Sequence, residues 1–382
     1  IGLTQGLRNK FAVAKAKGDD RLAQTYVSTT YAILAIVFAC VWLVFLIVNN
    51  FLDWSKILNV SVEMRADVTT LAIIVFTYFC ISFVFKIITT ILYADQYPAR
   101  ASLIDLLGQA LSLIIIFILI KTTEGSLTKL GLALCIAPLL VLGAANFVLF
   151  KRKYSKYSPV LSRVKFIYAR DLFNLGLKFF VIQIAAIIQY QTANFIIARN
   201  FGTADVTAYH VVYKYFGMLY MMFNIFLTPF WSASTEAYQK NDVEWIKNGI
   251  KRYNQLNLLM LLGSIIMLLV SGPFYRLWLG EGKVTIPFIL SFWGFVYFNV
   301  MMFGGKYVQF LNGISTLRIQ FITSIISPVI YIGVVLLLIK IFGLGVYSIF
   351  IGSIVASFNG FILAPIQYHM VINRNKKGIW IA

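Results

Sequence analysis

Apolar residues dominate ten segments of the chain, and polar residues are concentrated in the stretches between these segments. Because a helix rises 1.5 Å per residue, about 20 apolar residues are enough to cross a hydrocarbon layer of ~30 Å. The pattern therefore predicts ten transmembrane helices. They run at about 27–48, 68–94, 101–120, 130–150, 172–198, 204–231, 254–271, 286–311, 317–339 and 344–368.

Composition supports an all-α integral membrane protein. The 382 residues are 60% hydrophobic and 12% charged, whereas soluble domains carry about 25% charge. The net charge of +19 does not indicate nucleic acid, since the charges lie between spans and no base-stacking motif or basic recognition helix occurs. Cys40, Cys80 and Cys135 all lie in apolar segments, which predicts neither a disulfide framework nor a metal site.

The basic loops predict the orientation of the spans. Residues 151–170 contain seven basic residues and no acidic one, and short loops rich in Lys and Arg stay in the cytoplasm. With ten spans, one side of the membrane collects 21 basic residues and the other side 8. We therefore predict that 1–26, 151–170, 232–253 and 373–382 are cytoplasmic.

The same basic stretch divides the chain into three parts. Residues 1–150 form a predicted N-terminal lobe of four spans, and residues 171–382 a C-terminal lobe of six. Residues 151–170, the basic linker, connect the two lobes.

The two lobes are predicted to be copies of one plan. Residues 14–19 (AKAKGD) align with 237–242 (AYQKND), so that Gly18 or Asn241 ends a helix in the left-handed conformation and Asp19 or Asp242 caps the next helix. Further matches follow in the same order, namely Asn50, Phe51 and Trp54 with Pro273, Phe274 and Trp278, and Asp95 to Arg100 with Asn312 to Arg318. These matches predict a two-lobed bundle of parallel repeats.

The second copy has two spans ahead of its turn that the first copy lacks. We therefore expect a parent protein of six plus six helices, with two further spans upstream of Ile1.

Four lysines inside spans are the candidate functional residues, because a charge in the membrane is costly without water or a partner. Lys178 and Lys306 lie near the inner surface, where snorkelling is an alternative role, whereas Lys86 and Lys214 lie deeper. Helical spacing predicts two stripes of polar side chains on neighbouring helices. The stripes line a cationic, water-filled cavity or, as the alternative, form hydrogen bonds with other helices. The stripes comprise Asn174, Lys178, Gln189 and Thr192 on one span and Thr207, His210, Lys214 and Thr228 on the next.

Enzyme motifs do not occur in the chain. His210 and His369 are the only two histidines, and no HExxH, GxSxG or phosphate-binding glycine loop is present. We predict a protein that is not an enzyme and needs no cofactor. An intramembrane polymerase or acyltransferase is the enzyme alternative.

Several stretches resemble a known family. The segment TPFWSASTEAYQKNDVEWIKNGIKRYN (228–254) is similar to a stretch of O-antigen and polysaccharide flippases of the multidrug/oligosaccharidyl-lipid/polysaccharide exporter (MOP) superfamily. Further similar segments are GLRNKFAVAKAKGDDRLAQTYVSTTY (6–31), ADQYPAR (94–100), NGISTLRIQF (312–321) and APIQYHMVINRNKKGIW (364–380). The resemblance extends over essentially the whole chain.

The resemblance implies a multi-pass protein of a bacterial cytoplasmic membrane that moves an undecaprenyl-pyrophosphate-linked oligosaccharide from the inner to the outer leaflet by alternating access. It implies membrane lipid and polysaccharide assembly proteins as partners, and no nucleic acid. A cation-coupled multidrug exporter of the same superfamily is the alternative, but such a site should contain buried carboxylates. Four lysines and one clear carboxylate, Asp105, within the spans favour an anionic substrate. The predicted substrate-binding residues are Lys214, Lys178, Lys86, Lys306, Asn174, Gln189 and His210.

Overall fold

The structure is a computed structural model that describes residues 2–122, 126–280 and 284–381. Within these ranges the chain forms helices and no strand. The first seven α-helices are α1 (Gly2–Ala16), α2 (Asp20–Asn49), α3 (Trp54–Ile57), α4 (Arg65–Phe85), α5 (Ile87–Ala94), α6 (Pro98–Thr122) and α7 (Leu127–Lys151). The others are α8 (Ala169–Asn200), α9 (Thr203–Gln239), α10 (Val243–Leu269), α11 (Ser271–Leu279), α12 (Phe288–Gly313), α13 (Arg318–Lys340), α14 (Ser348–Ala356) and α15 (Ala364–Tyr368).

The helices confirm the predicted all-α membrane bundle. In the described residues, nine helices are long and apolar enough to cross a bilayer. Ser348–Ala356 and Asn359–Asn373, bent by 45° relative to each other, form a tenth span if counted together. Parts of the predicted outer loops, at 123–125 and 281–283, lie outside the described residues.

Two of the predicted spans are broken helices. The span predicted at 68–94 is interrupted at Lys86, where α4 ends and α5 begins. The span predicted at 344–368 is bent after Ala356 and contains a π-helical segment, Asn359–Leu363, and a second one, His369–Asn373, follows directly after the predicted end. Hydrophobicity identified the position of both spans, but it carries no information about such breaks.

The chain forms two compact units. The N-terminal unit extends from Thr4 to Phe173, and the C-terminal unit from Asn174 onward, together with Leu3. The core of the C-terminal unit is rich in aromatic side chains, including Tyr209, Phe298 and Phe350. The predicted three-part division of the chain stays a prediction, and in the structure the basic linker packs inside the N-terminal unit.

The turns predicted from the internal repeat are present in the structure. Gly18 and Asn241 both have positive φ values, of 73° and 56°. The carboxylates of Asp19 and Asp242 each cap the following helix, accepting a hydrogen bond from the amide of Leu22 at 2.9 Å and of Trp245 at 3.0 Å. At this alignment α1 matches the last turns of α9, and both helices end directly before the turn.

A second pair of equivalent turns follows further along each copy. Gln96 and Ser315 have φ values of 61° and 62°. In each turn the next amide donates a hydrogen bond to the carbonyl five residues earlier. These bonds run from Tyr97 to Leu92 at 2.8 Å and from Thr316 to Leu311 at 3.1 Å. These are the hydrogen bonds of a Schellman helix end. The repeat therefore extends to the backbone conformation of both turns.

Asp95 organises one end of the N-terminal unit. Its carboxylate is 5% exposed and pairs with Lys15 of α1 and, at 2.9 Å, with Lys153 of the basic linker. It also accepts a hydrogen bond of 2.8 Å from the hydroxyl of Tyr154, whose pKa is raised mainly by burial. One carboxylate thus joins α1, the turn after α5 and the start of the linker.

Two further buried side chains support this end of the unit. Arg8 of α1 is buried beside the ring of Tyr93, 5.5 Å from its centroid, and burial lowers its pKa to about 9. Tyr157 donates a hydrogen bond of 2.6 Å to Asp20. Burial, together with this bond, raises the pKa of Tyr157 to about 12.

Candidate functional site

Lys214 lies on the exposed face of α9 inside the membrane-spanning part of that helix. It is eleven residues beyond Thr203, where α9 begins, which corresponds to ~16 Å along the helix axis. Within the described residues, no carboxylate lies within 4.0 Å of its ammonium group. Exposed Met218 and Met221 share its face of the helix. The predicted polar stripe is therefore interrupted by methionines.

Lys178 lies nine residues after Ala169, where α8 begins, and therefore far from the end of α8 that adjoins α9. It is half-buried and follows exposed Asn174 by one turn, and its neighbour Phe179 stacks on Trp231 at 5.3 Å. In the described parts of the chain, no carboxylate pairs with Lys178 either. Gln189, on the same helix, is half-buried.

Lys178 and Lys214 cannot hold one diphosphate together, which corrects the idea of a joint site. Tyr190 of α8 lies beside Tyr213 of α9 with ring centroids 5.7 Å apart, so Lys214 is level with Tyr190. Lys178 lies about 18 Å from that level along α8. Because side chains lean toward the N-terminus of their own helix and these two helices are antiparallel, the lysines also point away from each other. They lie at two different depths along the pair of helices.

His210 lies one turn from Lys214, on the side where α9 begins. It is half-buried between aromatic rings, with its ring centroid 6.2 Å from that of Tyr190 and 5.5 Å from that of Tyr209. This setting places it beside the Lys214 position, and not beside Lys178.

Lys306 is fully buried in α12, so the alternative of snorkelling to the surface is wrong for this residue. Its ammonium donates to Asn257 Oδ1 at 2.6 Å and to the carbonyl of Phe303 at 2.9 Å. It also lies 4.3 Å from the ring centroid of Phe303 and 4.9 Å from that of Tyr307. Neutral oxygens and aromatic rings thus compensate its charge, and the contacts support a packing role.

Replacing Lys306 separates packing from charge. Lys306→Met keeps most of the volume and the contacts with the rings, so we expect it to change the free energy of unfolding by less than about 1.5 kcal/mol. Lys306→Ala leaves a cavity and should cost about 2 to 4 kcal/mol. Chemical unfolding in one detergent measures both changes. Equal losses of stability in the two variants would show that the charge itself is required.

Lys86 lies at the break between α4 and α5 in the N-terminal unit and is exposed. Its carbonyl accepts a hydrogen bond of 2.7 Å from Thr89 Oγ1, which satisfies part of the backbone at the break. Discontinuous spans in transporters often mark binding sites.

A small cavity of about 110 Å³, lined mainly by apolar side chains with a few polar ones, lies at the bent span of the C-terminal unit. Its lining includes Asn224, Gln309, Ser357 and Gly360. Gln309 Oε1 is buried without a hydrogen-bond partner among the described residues. The cavity has room for a few water molecules. Sequence reasoning missed this site, although Asn359, Gly360 and Pro365 within an apolar segment were an available signal.

No group of three or more potential metal ligands among His, Cys, Asp and Glu occurs in the described residues. The site candidates are therefore Lys178 and Lys214 of the C-terminal unit, Lys86, and the small cavity.

Comparison with solved structures identifies the fold. A MATE protein in its bent conformation matches with a TM-score of 0.82 and 17% identity, over 96% of this chain and 83% of that chain. An outward-facing multidrug resistance MATE family transporter of the MOP superfamily matches with a TM-score of 0.79 and 15% identity, over 98% of this chain and 83% of that one. The chain has the fold of MATE transporters of the MOP superfamily.

Two further comparisons add detail. A MOP superfamily transporter from Pyrococcus furiosus, for which reverse polarity of the binding pocket suggests a different function, matches with a TM-score of 0.80 and 17% identity, over 98% of this chain and 85% of that one. Among curated proteins, the uncharacterized membrane protein EpsK of Bacillus subtilis is 23% identical over 298 residues, which are 76% of this chain. The chain spans 57% of the length of that relative. No family model matches the chain.

Proposed function

We propose that this chain belongs to a flippase that moves an undecaprenyl-pyrophosphate-linked oligosaccharide from the inner to the outer leaflet of a bacterial cytoplasmic membrane. The MOP transporter fold supports a membrane exporter that works by alternating access. The choice of substrate rests on charge in the spans.

The observation that carries the proposal is the pair of unpaired lysines in the C-terminal unit. Lys178 and Lys214 reach surface on membrane-spanning helices without a carboxylate partner in the described residues. A cation at mid-membrane costs about 3 kcal/mol on insertion scales. A diphosphate that forms charge-assisted hydrogen bonds with the ammonium group offsets that cost.

The two lysines suggest successive positions for one headgroup. Lys178 lies near the predicted cytoplasmic end of α8, where a lipid-linked diphosphate would arrive. Lys214 lies ~16 Å from the start of α9, close to the middle of a ~30 Å hydrocarbon layer. Transfer from the first lysine to the second would bring the headgroup about half-way across.

A cation-coupled multidrug exporter is the second candidate, because the matched structures include a multidrug resistance transporter. A pocket for cationic drugs needs carboxylates, and Asp105, half-buried in α6, is the clear carboxylate well inside a span of the described chain. The Pyrococcus furiosus transporter, in which the polarity of the pocket is reversed, is a precedent for changed specificity within the superfamily.

Ligand binding in lipid nanodiscs tests the proposal. We expect saturable binding of undecaprenyl pyrophosphate and no binding of undecaprenol, which has the same tail without the charge. We also expect no binding of ethidium, a cationic drug. Tight binding of ethidium together with indifference to the pyrophosphate would support the multidrug alternative. Conversion of a lipid-linked glycan to a longer polymer by the purified protein would support the polymerase alternative.

A further inference from the structure

The basic linker is held at a fixed depth against α2. The amide of Val160 donates to Ser28 Oγ at 3.1 Å, and the amide of Lys165 donates to Thr29 Oγ1 at 3.1 Å. Every residue of α2 from Thr25 to Thr30 is buried, so the linker and its neighbours enclose this part of the helix. The linker was predicted as a simple loop between lobes, but it covers the first third of α2.

This depth corresponds to the cytoplasmic end of the first span, which the sequence predicts to begin at about residue 27. The side chains of α2 become broadly exposed from residue 35 onward, in the apolar part of the helix. Thr29 is six residues before that point, or about 9 Å along the axis. We therefore expect the linker to lie beside the hydrocarbon boundary, at the level of lipid headgroups.

Large apolar side chains of the linker project outward at this level. Leu161 is 89% exposed, Ile167 82% and Phe166 59%. The backbone around them forms short 3-10 turns at 161–163 and 166–168. Apolar side chains that remain exposed beside the hydrocarbon boundary are suited to insertion between lipids.

Unpaired cations surround these apolar side chains. Lys153 and Lys156 are engaged by Asp95 and Asp20. The other basic residues of the linker have no carboxylate within 4.0 Å in the described part of the chain. They are Lys151, Arg152, Arg163, Lys165 and Arg170.

We propose that the basic linker is an interfacial anchor that binds the headgroups of anionic phospholipids in the cytoplasmic leaflet. Leu161, Phe166 and Ile167 insert between the lipids, and the unpaired basic residues contact the lipid phosphates. Position and charge both favour a lipid surface over a protein partner, because the apolar side chains lie at the level where lipid is present. This inference is independent of the transported substrate.

Depth-dependent quenching tests the insertion. In a variant with Cys40, Cys80 and Cys135 replaced by alanine, Leu161→Cys and Ile167→Cys are labelled with an environment-sensitive fluorophore in nanodiscs containing phosphatidylglycerol. We expect strong quenching by lipids that carry a spin label near the headgroup, and protection from aqueous iodide. Lys17→Cys, exposed in the turn before α2, is the control and should show the reverse. Iodide quenching at Leu161 equal to that at Lys17 would overturn the proposal and favour a soluble partner.

Lipid selectivity tests the charges. In a variant with Arg152, Arg163, Lys165 and Arg170 replaced by glutamine, we expect the preference for phosphatidylglycerol over phosphatidylcholine to fall at least about fivefold, which is the effect of a single charge near an anionic surface. Spin-labelled lipids measure this preference. The matched control replaces Lys56, Arg65, Lys121 and Lys129, on the predicted opposite side, and should leave the preference at the cytoplasmic leaflet unchanged. An unchanged preference in the linker variant would overturn the proposal.

Discussion

Asp95→Asn is expected to lower the stability of the N-terminal unit by about 2 to 3 kcal/mol, because a charged acceptor with three partners becomes a neutral one. The carboxylate is 5% exposed and pairs with Lys15 and Lys153 while it accepts a hydrogen bond from Tyr154. An asparagine keeps one acceptor oxygen and loses the charge. The loss should not reach the larger values known for isolated buried charges, because Lys15 and Lys153, 44% and 30% exposed, can turn to water.

Thermal unfolding and trypsin cleavage in one detergent measure this effect. We expect a lower unfolding midpoint and faster cleavage after Arg152 and Lys153, since the start of the linker loses its attachment. Asp53→Asn is the matched control, because Asp53 also pairs with two basic side chains, Arg65 at 3.7 Å and Lys56 at 4.0 Å, but lies in an exposed loop. There, both unfolding and cleavage should stay as in the parent. Equal behaviour of the two variants would mean that Asp95 does not organise this end of the unit.

Replacing the cations that pair with Asp95 tests the same ion pairs from the other side. Replacing Lys15 and Lys153 together by methionine leaves a buried carboxylate with only the Tyr154 hydroxyl as a partner. We expect this double variant to be less stable than Asp95→Asn, because an uncompensated buried charge is more costly than a missing one.

Local features of the fold could be predicted from the sequence. As predicted, Gly18 and Asn241 end helices in the left-handed conformation, and Asp19 and Asp242 cap the helices that follow. These features could be predicted because they depend on only a few neighbouring residues. The spans were predicted for a similar reason, since the requirement for about 20 apolar residues is imposed by the bilayer. Both kinds of prediction need no knowledge of distant contacts.

Features that depend on distant contacts were missed. Lys306 was considered near enough to the surface to snorkel, but its burial depends on Asn257, 49 residues away. The attachment of the linker depends on Asp95, Ser28 and Thr29, which pair with residues more than 50 positions away in the chain. The run Ser28, Thr29 and Thr30 at the start of a span was the available signal, because such hydroxyls can accept hydrogen bonds from a neighbouring segment.

The predicted site stays a prediction, and the structure adds the relative depth of two of its residues. Helical periodicity placed Lys178 and Lys214 on stripes of neighbouring helices, but periodicity does not give the relative depth of residues on two antiparallel helices. The contact between Tyr190 and Tyr213 supplies that depth and separates the two lysines. The proposed mechanism is therefore passage between two positions and not joint capture.

Lys214→Ala in the full-length protein is expected to reduce export of surface polysaccharide about tenfold or more. A hydrogen bond to a charged group contributes about 1.5 to 3 kcal/mol, and 1.4 kcal/mol corresponds to a factor of ten. Lys214→Arg should keep more of the activity, since it retains the charge.

Lys178→Ala should weaken binding of undecaprenyl pyrophosphate from the cytoplasmic side, whereas Lys214→Ala should leave that first step largely intact, because the two positions are about 18 Å apart along the helix. Export by cells, the amount of protein in the membrane, and pyrophosphate binding in nanodiscs measure these effects separately. Lys240→Ala is the control, because Lys240 is exposed at the end of α9 and paired with Glu236 at 2.5 Å, and it should behave as the parent. Full export by the double variant Lys178→Ala/Lys214→Ala at normal protein levels would contradict the two-position path and would leave both lysines as side chains that face water or lipid headgroups.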